Sequence, residues 1–338
     1  MEPVLIMGGS GQAGAGTAAV LRRWYPALPL AVAGRDPGRA RRVADELGTA
    51  TAVPLDLRRD DLGLPDGQEC SAVVATVWDS HLNGLRYAQE RGLPYLSISN
   101  GLVDLTPEVF AGAQRASAAP ILLASHGCAG LVVLAALELA REFHRLHTVR
   151  VALVLDELDG GGPAAVEDME RLMAATSAGL VRRDGVFTWV DGQEAQVEVL
   201  TADGTVLPGQ TVAIPDVPSL ALATGAPNVR FDFVVGESSG RRRGGPASVE
   251  VRIDLEGTGP EGTPLDVTHH ITHPLGQRPL TALGVALGVE RLLGLRGDPV
   301  APGLYTPEAL IDPALAVERM VEEGTLLTRS RVQRSSTT

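Results

Sequence analysis

The amino-acid sequence predicts an α/β fold, in which a doubly wound parallel sheet is interrupted by a second α/β domain with a mixed, largely antiparallel sheet. Three observations indicate this. The first 125 or so residues alternate apolar runs with helical patterns, the middle of the chain consists mainly of short strands, and amphipathic helices return from Pro279. Strands that alternate with helices pair in parallel through right-handed crossovers, whereas strands joined by turns pair antiparallel.

The strands of the parallel sheet are predicted from apolar runs at residues 4–8, 30–34, 52–57, 71–77, 94–99 and 120–126. Helical patterns lie between most of these runs. Three begin near Gln12, Pro37 and Thr106, and one that follows the run at 71–77 ends near Arg91. The longest apolar stretch starts at Pro120 and is broken by polar residues and glycines, which favours a buried strand, a turn and a buried helix over a membrane span.

The second domain is predicted from a strand at 149–158, a helix that follows the glycines at 160–162, and short strands beyond it. Residues 228–237 and 247–257 are expected to form a hairpin, with three arginines at a solvated tip. The predicted boundaries are a cofactor-binding domain at 1–127, a substrate and dimerisation domain at 128–274, helices returning to the first domain at 275–325, and a flexible tail at 326–338.

Composition excludes several classes of function. The chain has 338 residues and a net charge of −12, which repels phosphate backbones and anionic lipid, so we expect neither a nucleic-acid nor a membrane partner. All 29 basic residues are arginine, which excludes catalysis by a Schiff base on an enzyme lysine. Only Cys70 and Cys128 are present and no leader pattern follows Met1, which favours a cytoplasmic location.

A glycine-rich motif follows the first strand and opens the first helix. It reads Gly9-Ser10-Gly11-Gln12-Ala13-Gly14, a G-x-G-x-x-G pattern. The first glycine permits a tight turn, the second lets a pyrophosphate approach the backbone, and the third lets the helix pack closely on the strand. Because the amides of a helix N-terminus bind anions, the motif in this strand-to-helix context predicts a Rossmann-type dinucleotide site.

The end of the second predicted strand indicates which dinucleotide is bound. Arg35 lies 21 residues beyond Gly14, where this fold meets the adenosine ribose. An arginine pairs with a 2′-phosphate, so we expect NADP in preference to NAD. Asp36 either reaches a ribose hydroxyl or caps the next helix, and Asp56 either accepts from the adenine amino group or caps a surface turn.

Polar residues at the carboxyl ends of the later strands are the other site candidates, because ligands of open α/β sheets bind there. Thr76 and Val77 are expected to line the cofactor crevice. Trp78, Ser99 and Asn100 are candidates for contacting substrate. The alternative for Trp78 is packing at the start of a helix, and the alternative for Asn100 is a turn. Asp79 is either a helix cap or a catalytic carboxylate that stabilises an iminium.

Histidines complete the candidate site. His126 follows the sixth strand, where a histidine with an ordinary pKa suits proton donation, and a structural role is the alternative. His269, His270 and His273 lie in a segment that alternates like a strand, so a shared metal is not expected. His270 is a candidate for lining the substrate cleft.

The segments MGGSGQAGAGTAAVL, LAVAGRDPGRARRVADELG and PYLSIS, together with LTALGVALGVERLLGL and the following closing segment, resemble saccharopine dehydrogenase-like NAD(P)-dependent oxidoreductases. The resemblance covers both ends of the chain and implies a Rossmann domain interrupted by a substrate domain, often in a homodimer. It also implies hydride transfer to or from a C=N bond linking an amine to a carbonyl compound.

Together these observations predict an NADP-dependent oxidoreductase that acts on an imine or iminium of a small amino compound, with Asp79 and His126 as the catalytic residues. Two alternatives remain open. One is reduction of a ketone or an activated C=C bond on the same fold, which needs a firm proton donor. The other is a non-catalytic NADP-binding sensor or partner protein.

Overall fold

The computed structural model describes residues 1–99, 101–159 and 162–331. The chain divides into two compact units. The first comprises residues 1–130, 161–175 and 278–311, and the second comprises residues 131–160, 176–277 and 312–338. Within the described residues, no helix combines the length and the apolar character needed to span a bilayer.

The strands are β1 Val4–Met7, β2 Leu30–Gly34, β3 Ala50–Pro54, β4 Ala72–Ala75, β5 Tyr95–Ser97, β6 Pro120–Leu123, β7 Arg145–Asp156, β8 Gly179–Arg183, β9 Val186–Val190, β10 Gln196–Leu200, β11 Val206–Thr211, β12 Asn228–Gly236, β13 Val249–Thr258, β14 Pro264–His273, β15 Gly303–Tyr305 and β16 Leu326–Arg331. The helices are α1 Gln12–Trp24, α2 Pro37–Leu47, α3 Asn83–Arg91, α4 Leu102–Gln114, α5 Leu131–Leu139, α6 Gly162–Ala175, α7 Gly192–Ala195, α8 Asp216–Thr224, α9 Ser239–Arg242, α10 Gln277–Leu292, α11 Pro307–Leu310 and α12 Pro313–Glu322.

The first unit contains a parallel sheet in the order β3-β2-β1-β4-β5-β6-β15. Sheet growth reverses at β1, which pairs with β2 on one side and β4 on the other, and in such sheets this switch point opens a crevice at the carboxyl ends of the strands. Strands β1, β2, β4 and β6 are buried at every residue, as expected where helices cover both faces.

Helix α10 belongs to this unit although it lies far along the chain. A side chain at Gly288 would place its Cβ 2.5 Å from Leu96 Cδ1 and 2.8 Å from Leu122 Cδ2, so the helix packs directly on β5 and β6. Small residues in α10 therefore permit close contact with the sheet.

The second unit contains a mixed sheet in the order β10-β11-β12-β7-β13-β14-β16, with β8 and β9 added beside β12. All of its strand pairs are antiparallel except β12 with β7. Together, the parallel and mixed sheets confirm the predicted fold class.

The expected hairpin of 228–237 with 247–257 is wrong. Strand β7 lies between β12 and β13, parallel to one and antiparallel to the other. Val149, Val151 and Leu153 of β7 are fully buried, and a strand this apolar is stabilised in the centre of a sheet. The three arginines of the expected tip lie at or directly after the short helix α9, where Arg241 bonds to Asp156 and Arg242 to Asp203.

The predicted flexible tail begins too early. Residues Leu326–Arg331 form an edge strand that pairs antiparallel with β14, from Thr272↔Leu326 to Val267↔Arg331. Backbone hydrogen bonds hold an edge strand without much apolar burial, so composition alone did not indicate it. The compact units also differ from the predicted boundaries at α6, which belongs to the first unit, and at α12, which belongs to the second.

Candidate functional site

The glycine-rich loop joins β1 to α1 through a tight turn. Gly8 has φ +76°, a conformation that L side chains rarely adopt, and a Cβ there would lie 3.0 Å from Thr76 Oγ1 and 3.1 Å from Val77 Cβ. The Gly9 amide donates to Ala33 of β2 at 3.0 Å, and the Gly11 amide donates to Gly8 at 2.8 Å. The loop is therefore rigidly held by its own strand and by the neighbouring one.

Gly14 has no room for a side chain. A Cβ would lie 2.5 Å from the Gly8 carbonyl oxygen, 2.7 Å from Gly9 Cα and 2.8 Å from Thr76 Oγ1. The Thr76 hydroxyl is buried and donates to the Met7 carbonyl at 2.8 Å, so it supports the loop from below. These contacts bring α1 close to the strand ends, as the third glycine of the motif requires.

The start of α1 is open for an anion. Gly11 is the N-cap residue, and no side chain caps the helix. The first N–H groups of a helix have no intrahelical acceptor and carry the positive end of its dipole. A Cβ on Gly11 would meet only the Gly8 carbonyl, at 3.1 Å, so the space above this residue is empty. Such an arrangement fits the pyrophosphate of a dinucleotide.

Two arginine side chains lie just after the end of β2. Arg35 is exposed, and the Asp36 carboxylate accepts hydrogen bonds from the amides of Gly38 at 2.9 Å and Arg39 at 3.1 Å, so Asp36 caps α2. Arg39 reaches back to the Ser10 carbonyl of the glycine-rich loop at 3.3 Å. Sequence reasoning missed Arg39, which lies in the first turn of α2. Arg35 precedes the helix, so helical spacing does not link the two arginines.

Asp56 follows β3 and is held by a neighbouring arginine. Its carboxylate accepts from Arg58 Nε and one terminal nitrogen, both at 2.9 Å, and from the Arg58 amide at 3.1 Å. The side-chain hydrogen bond from Arg58 is the main reason that the pKa of Asp56 falls to about 2. This contact occupies the oxygens that would accept from an adenine amino group.

Asp79 lies in the loop between β4 and α3, with only 7% of its surface exposed. Its carboxylate accepts from the amide of Gly84 at 2.6 Å and the amide of His81 at 3.2 Å. Burial raises the pKa of Asp79, and these hydrogen bonds act in the opposite direction. The geometry is that of a residue that organises the start of α3, which is the structural alternative considered from the sequence.

Trp78 lies beneath an arginine that the sequence did not single out. The Arg171 guanidinium stacks on the Trp78 ring, 4.0 Å from its centroid. Arg171 also donates to the Ser99 carbonyl at 2.8 Å and to Asp168 at 2.6 Å. These residues, with Asp104 at 4.0 Å from Arg171 Nε, form a charged cluster beside the carboxyl ends of β4 and β5.

Helix α6 carries Arg171 across the strand ends of the first unit. At its start, a Cβ on Gly162 would lie 3.3 Å from Gln12 Cδ, beside the glycine-rich loop. Near its other end, Leu172 Cδ1 would lie 2.7 Å from a Cβ on Gly101. Chain order placed this helix in the second domain, so its contribution to the site was not predictable from order alone.

Ser99 has φ +85°, an uncommon conformation for a residue with a side chain, and it aims its carbonyl at Arg171. Burial raises the pKa of Asp168, while hydrogen bonds from Arg171 and Ser99 lower it. Asn100, the neighbouring candidate, lies outside the described residues.

His126 follows β6 and is buried, with 8% of its surface exposed. Desolvation lowers its pKa to about 3, so the imidazole is neutral at neutral pH. The next residues are unusual: Cys128 and Ala129 both have left-handed backbone angles, with φ of 50° and 54°. A Cβ on Gly284 of α10 would lie 2.7 Å from the carbonyl oxygens of both, so the helix holds this strained turn in place.

His270 lies in the middle of β14 in the second unit, beside Arg252 of β13 and Thr328 of β16. Burial lowers the pKa of His270, as it does for His269 and His273. His273 contacts the Glu323 carbonyl at 3.2 Å. Among the described residues, no three histidine, cysteine or acidic side chains gather closely enough to hold a metal ion.

The chain was compared with known proteins. No family model matches it, and no curated protein is significantly similar to it in sequence. Among solved structures, it is similar to apo saccharopine dehydrogenase (L-Glu forming) from Saccharomyces cerevisiae, with a TM-score of 0.71 and 13% identity over 98% of this chain and 100% of that one.

Two further structures are more distant. They are scyllo-inositol dehydrogenase from Lactobacillus casei with NAD(H) and scyllo-inositol (12% identity, 99% and 100% of the two chains) and an oxidoreductase from Agrobacterium radiobacter with NAD⁺, L-tartaric acid and magnesium (15%, 96% and 98%), each with a TM-score of 0.47. Scores this low do not establish a shared fold. The first similarity does: this chain has a saccharopine dehydrogenase-like fold, as its sequence resemblance implied.

Proposed function

We propose that this protein is an NADP-dependent oxidoreductase that transfers hydride to or from a C=N bond of a small amino compound. The observation that carries the proposal is the glycine-rich loop. It combines a tight turn at Gly8, a third glycine where an added Cβ would lie 2.5 Å from a backbone oxygen, and a helix start at Gly11 that no side chain caps. A nicotinamide dinucleotide fits this cradle, because its pyrophosphate matches the free amides and its nicotinamide then extends along the strand ends.

The preference for NADP is supported by the charges at the end of β2. A carboxylate that faced the ribose would repel a 2′-phosphate, but Asp36 is committed to two amides of α2. Arg35 is exposed, and Arg39 already lies against the glycine-rich loop. Two guanidinium groups at this position favour a phosphate over a hydroxyl.

The bound cofactor would supply the hydride, and the chain would position its partner. The cluster of Trp78, Ser99, Asp168 and Arg171 lies where the reacting end of the cofactor is expected in this fold. Arg171 suits a substrate carboxylate and Asp168 suits an amine or iminium, with Trp78 as an apolar wall. Asp79 and His126 remain candidates for the catalytic roles proposed from the sequence.

The protonation state of His126 favours an iminium among possible substrates. A ketone becomes an alkoxide as hydride arrives and needs a proton donor, whereas a cationic iminium becomes a neutral amine without one. With a pKa of about 3, His126 is a neutral imidazole at neutral pH and lacks the imidazolium proton that a general acid donates. It retains the capacity to accept one.

The resemblance to saccharopine dehydrogenase-like proteins extends the proposal to a homodimer that acts on a small molecule, and the low cysteine content extends it to a cytoplasmic location. Light scattering coupled to size exclusion tests the dimer directly.

The function is tested by following the nicotinamide absorbance with NADPH, amino acids or amines, and panels of aldehydes and oxo acids. We expect NADPH oxidation only when amine and carbonyl are both present, because the imine forms from the two. Oxidation with a carbonyl compound alone would support ketone reduction instead. Cofactor binding without turnover on any panel would support the non-catalytic alternative.

The cofactor preference has a separate test. Arg35→Gln should weaken NADPH binding by about 1.5 to 3 kcal/mol, the size of a charge-assisted contact, and leave NADH nearly unchanged. Arg86→Gln changes an exposed arginine of α3 and serves as a matched control. Equal weakening of both cofactors by Arg35→Gln would contradict the assignment of NADP.

A further inference from the structure

A cavity of about 280 Å³ opens on the sheet of the second unit. Its lining contains four arginines and, among the described residues that form it, no carboxylate. The lining residues are Thr148, Val149, Arg150, Val181, Arg182, Arg183, Asn228, Val229 and Arg230. In a chain whose net charge is −12, such a lining is a marked local reversal of sign. We call this cavity the arginine pocket.

The strand register brings three of the four arginines to one face of the sheet. Strand β12 lies between β7 and β8, so Arg150 and Arg230 are direct cross-strand neighbours. On the other side, Val229 pairs with Arg182, so Arg183 lies on the same face as Arg230 and Arg182 lines the pocket from the opposite face. Like charges on neighbouring positions of a sheet destabilise it, so negative charge close to these arginines stabilises the arrangement.

Carboxylates near the pocket compensate this charge only in part. Arg150 pairs with Glu256 at 2.6 Å and Arg183 pairs with Glu194, and all four side chains are at least 30% exposed. Exposed ion pairs contribute little and yield to a better-placed anion. Arg182 donates to the carbonyls of Ala221 and Ala226, which satisfies its N–H groups without cancelling its charge.

Arg230 is the best-placed anion ligand of the four. Its Nε donates to Asp232 at 2.7 Å, but its terminal nitrogens reach backbone carbonyls only at 3.4–3.5 Å. Those distances are at the limit of a hydrogen bond, so the outer fork of the guanidinium is weakly engaged. A planar fork of this kind binds two oxygens of a phosphate or carboxylate group.

We propose that the arginine pocket binds a small multivalent anion with phosphate or carboxylate oxygens. Its volume lies at the lower limit of ligand pockets, which suits an anion of the size of pyrophosphate or citrate. The pocket is formed by residues of the second unit, and none of them belongs to the glycine-rich loop. The anion would bridge β7, β8 and β12 and relieve the repulsion between their arginines.

The test is calorimetric titration of the full chain with pyrophosphate and with citrate, at ionic strength held constant with sodium chloride and with NADPH present in excess. Arg150→Gln changes a half-exposed side chain and should fold normally, and Arg230→Gln removes the central fork. Arg252→Gln is the matched control, because Arg252 is paired with Asp254 on β13 of the same sheet, outside the pocket.

We expect wild-type protein and Arg252→Gln to bind at least one of the two anions with similar affinity. Arg150→Gln and Arg230→Gln should each bind it at least about tenfold more weakly. The ratio of pyrophosphate to citrate affinity then identifies the preferred oxygen group. No binding to wild-type protein, or equal affinity in all four proteins, would overturn the proposal. Because the comparison is among pocket variants, its outcome is independent of whether the chain oxidises NADPH.

Discussion

Single alanine substitutions at two glycines of the glycine-rich loop should separate the contribution of the loop to cofactor binding from its contribution to folding. A Cβ on Gly14 would lie 2.5 Å from the Gly8 carbonyl oxygen and 2.7 Å from Gly9 Cα, and rigid backbone cannot move aside cheaply. A Cβ on Gly11 would meet only one oxygen, at 3.1 Å, and its φ of −82° suits any residue. Gly14→Ala therefore overpacks the loop, whereas Gly11→Ala mainly fills the space in which we propose that the pyrophosphate binds.

Overpacking of a rigid core typically costs about 1 to 3 kcal/mol, so we expect a loss of stability in that range for Gly14→Ala. An alanine N-cap in place of glycine should cost Gly11→Ala roughly 0.5 to 1 kcal/mol. Denaturant unfolding without cofactor measures these values.

Fluorescence titration with NADPH should then show that Gly11→Ala binds the cofactor at least about tenfold more weakly than wild type does. If Gly11→Ala binds NADPH as tightly as wild type, the pyrophosphate does not lie over this helix start.

Three further outcomes are expected. Burial lowers the pKa of His126 to about 3, so below about pH 6.5 the imidazole becomes protonated in the unfolded chain while it stays neutral in the folded one. The free energy of unfolding should therefore decrease by about 2 kcal/mol between pH 6.5 and 5. Denaturant unfolding of His126→Gln should show no such decrease. Asp79→Ala should cost about 1 to 3 kcal/mol of stability by leaving two amides without an acceptor, and a turnover that survives in Asp79→Asn would show that its charge is not catalytic. Arg171→Met should raise KM for a carboxylate-bearing substrate at least about tenfold while the NADPH Kd changes less than twofold; an unchanged KM would exclude Arg171 from the substrate site.

Local sequence was sufficient to predict six of the seven strands of the first sheet and the glycine-rich loop, but not the edge strand β15. The apolar runs of β1, β2 and β4 are buried throughout, and the glycine motif falls between a strand and a helix as its spacing requires. Such features depend on neighbours within a few residues, where turn geometry and burial impose specific residue types.

Contacts between distant parts of the chain were not predictable in the same way. Strand β7 lies between β12 and β13, where both of its faces are buried. Other apolar strands have the same sequence pattern, so the pattern alone does not show which strand takes the central position. Arg171 reaches Trp78 because α6 folds back onto the first unit, and nothing near residue 171 indicates that partner. The neutral state of His126 likewise depends on the surroundings that bury it.

The central claim is that the glycine-rich loop holds a nicotinamide dinucleotide with a 2′-phosphate. Titrating the purified chain with NADPH and with NADH, followed by the fluorescence of the reduced nicotinamide, measures this most directly. We expect saturable binding of both, with NADPH at least about tenfold tighter, because in the proposed complex Arg35 and Arg39 contact its additional phosphate. Absence of binding by either nucleotide would contradict the claim, and tighter binding of NADH would contradict the choice of cofactor.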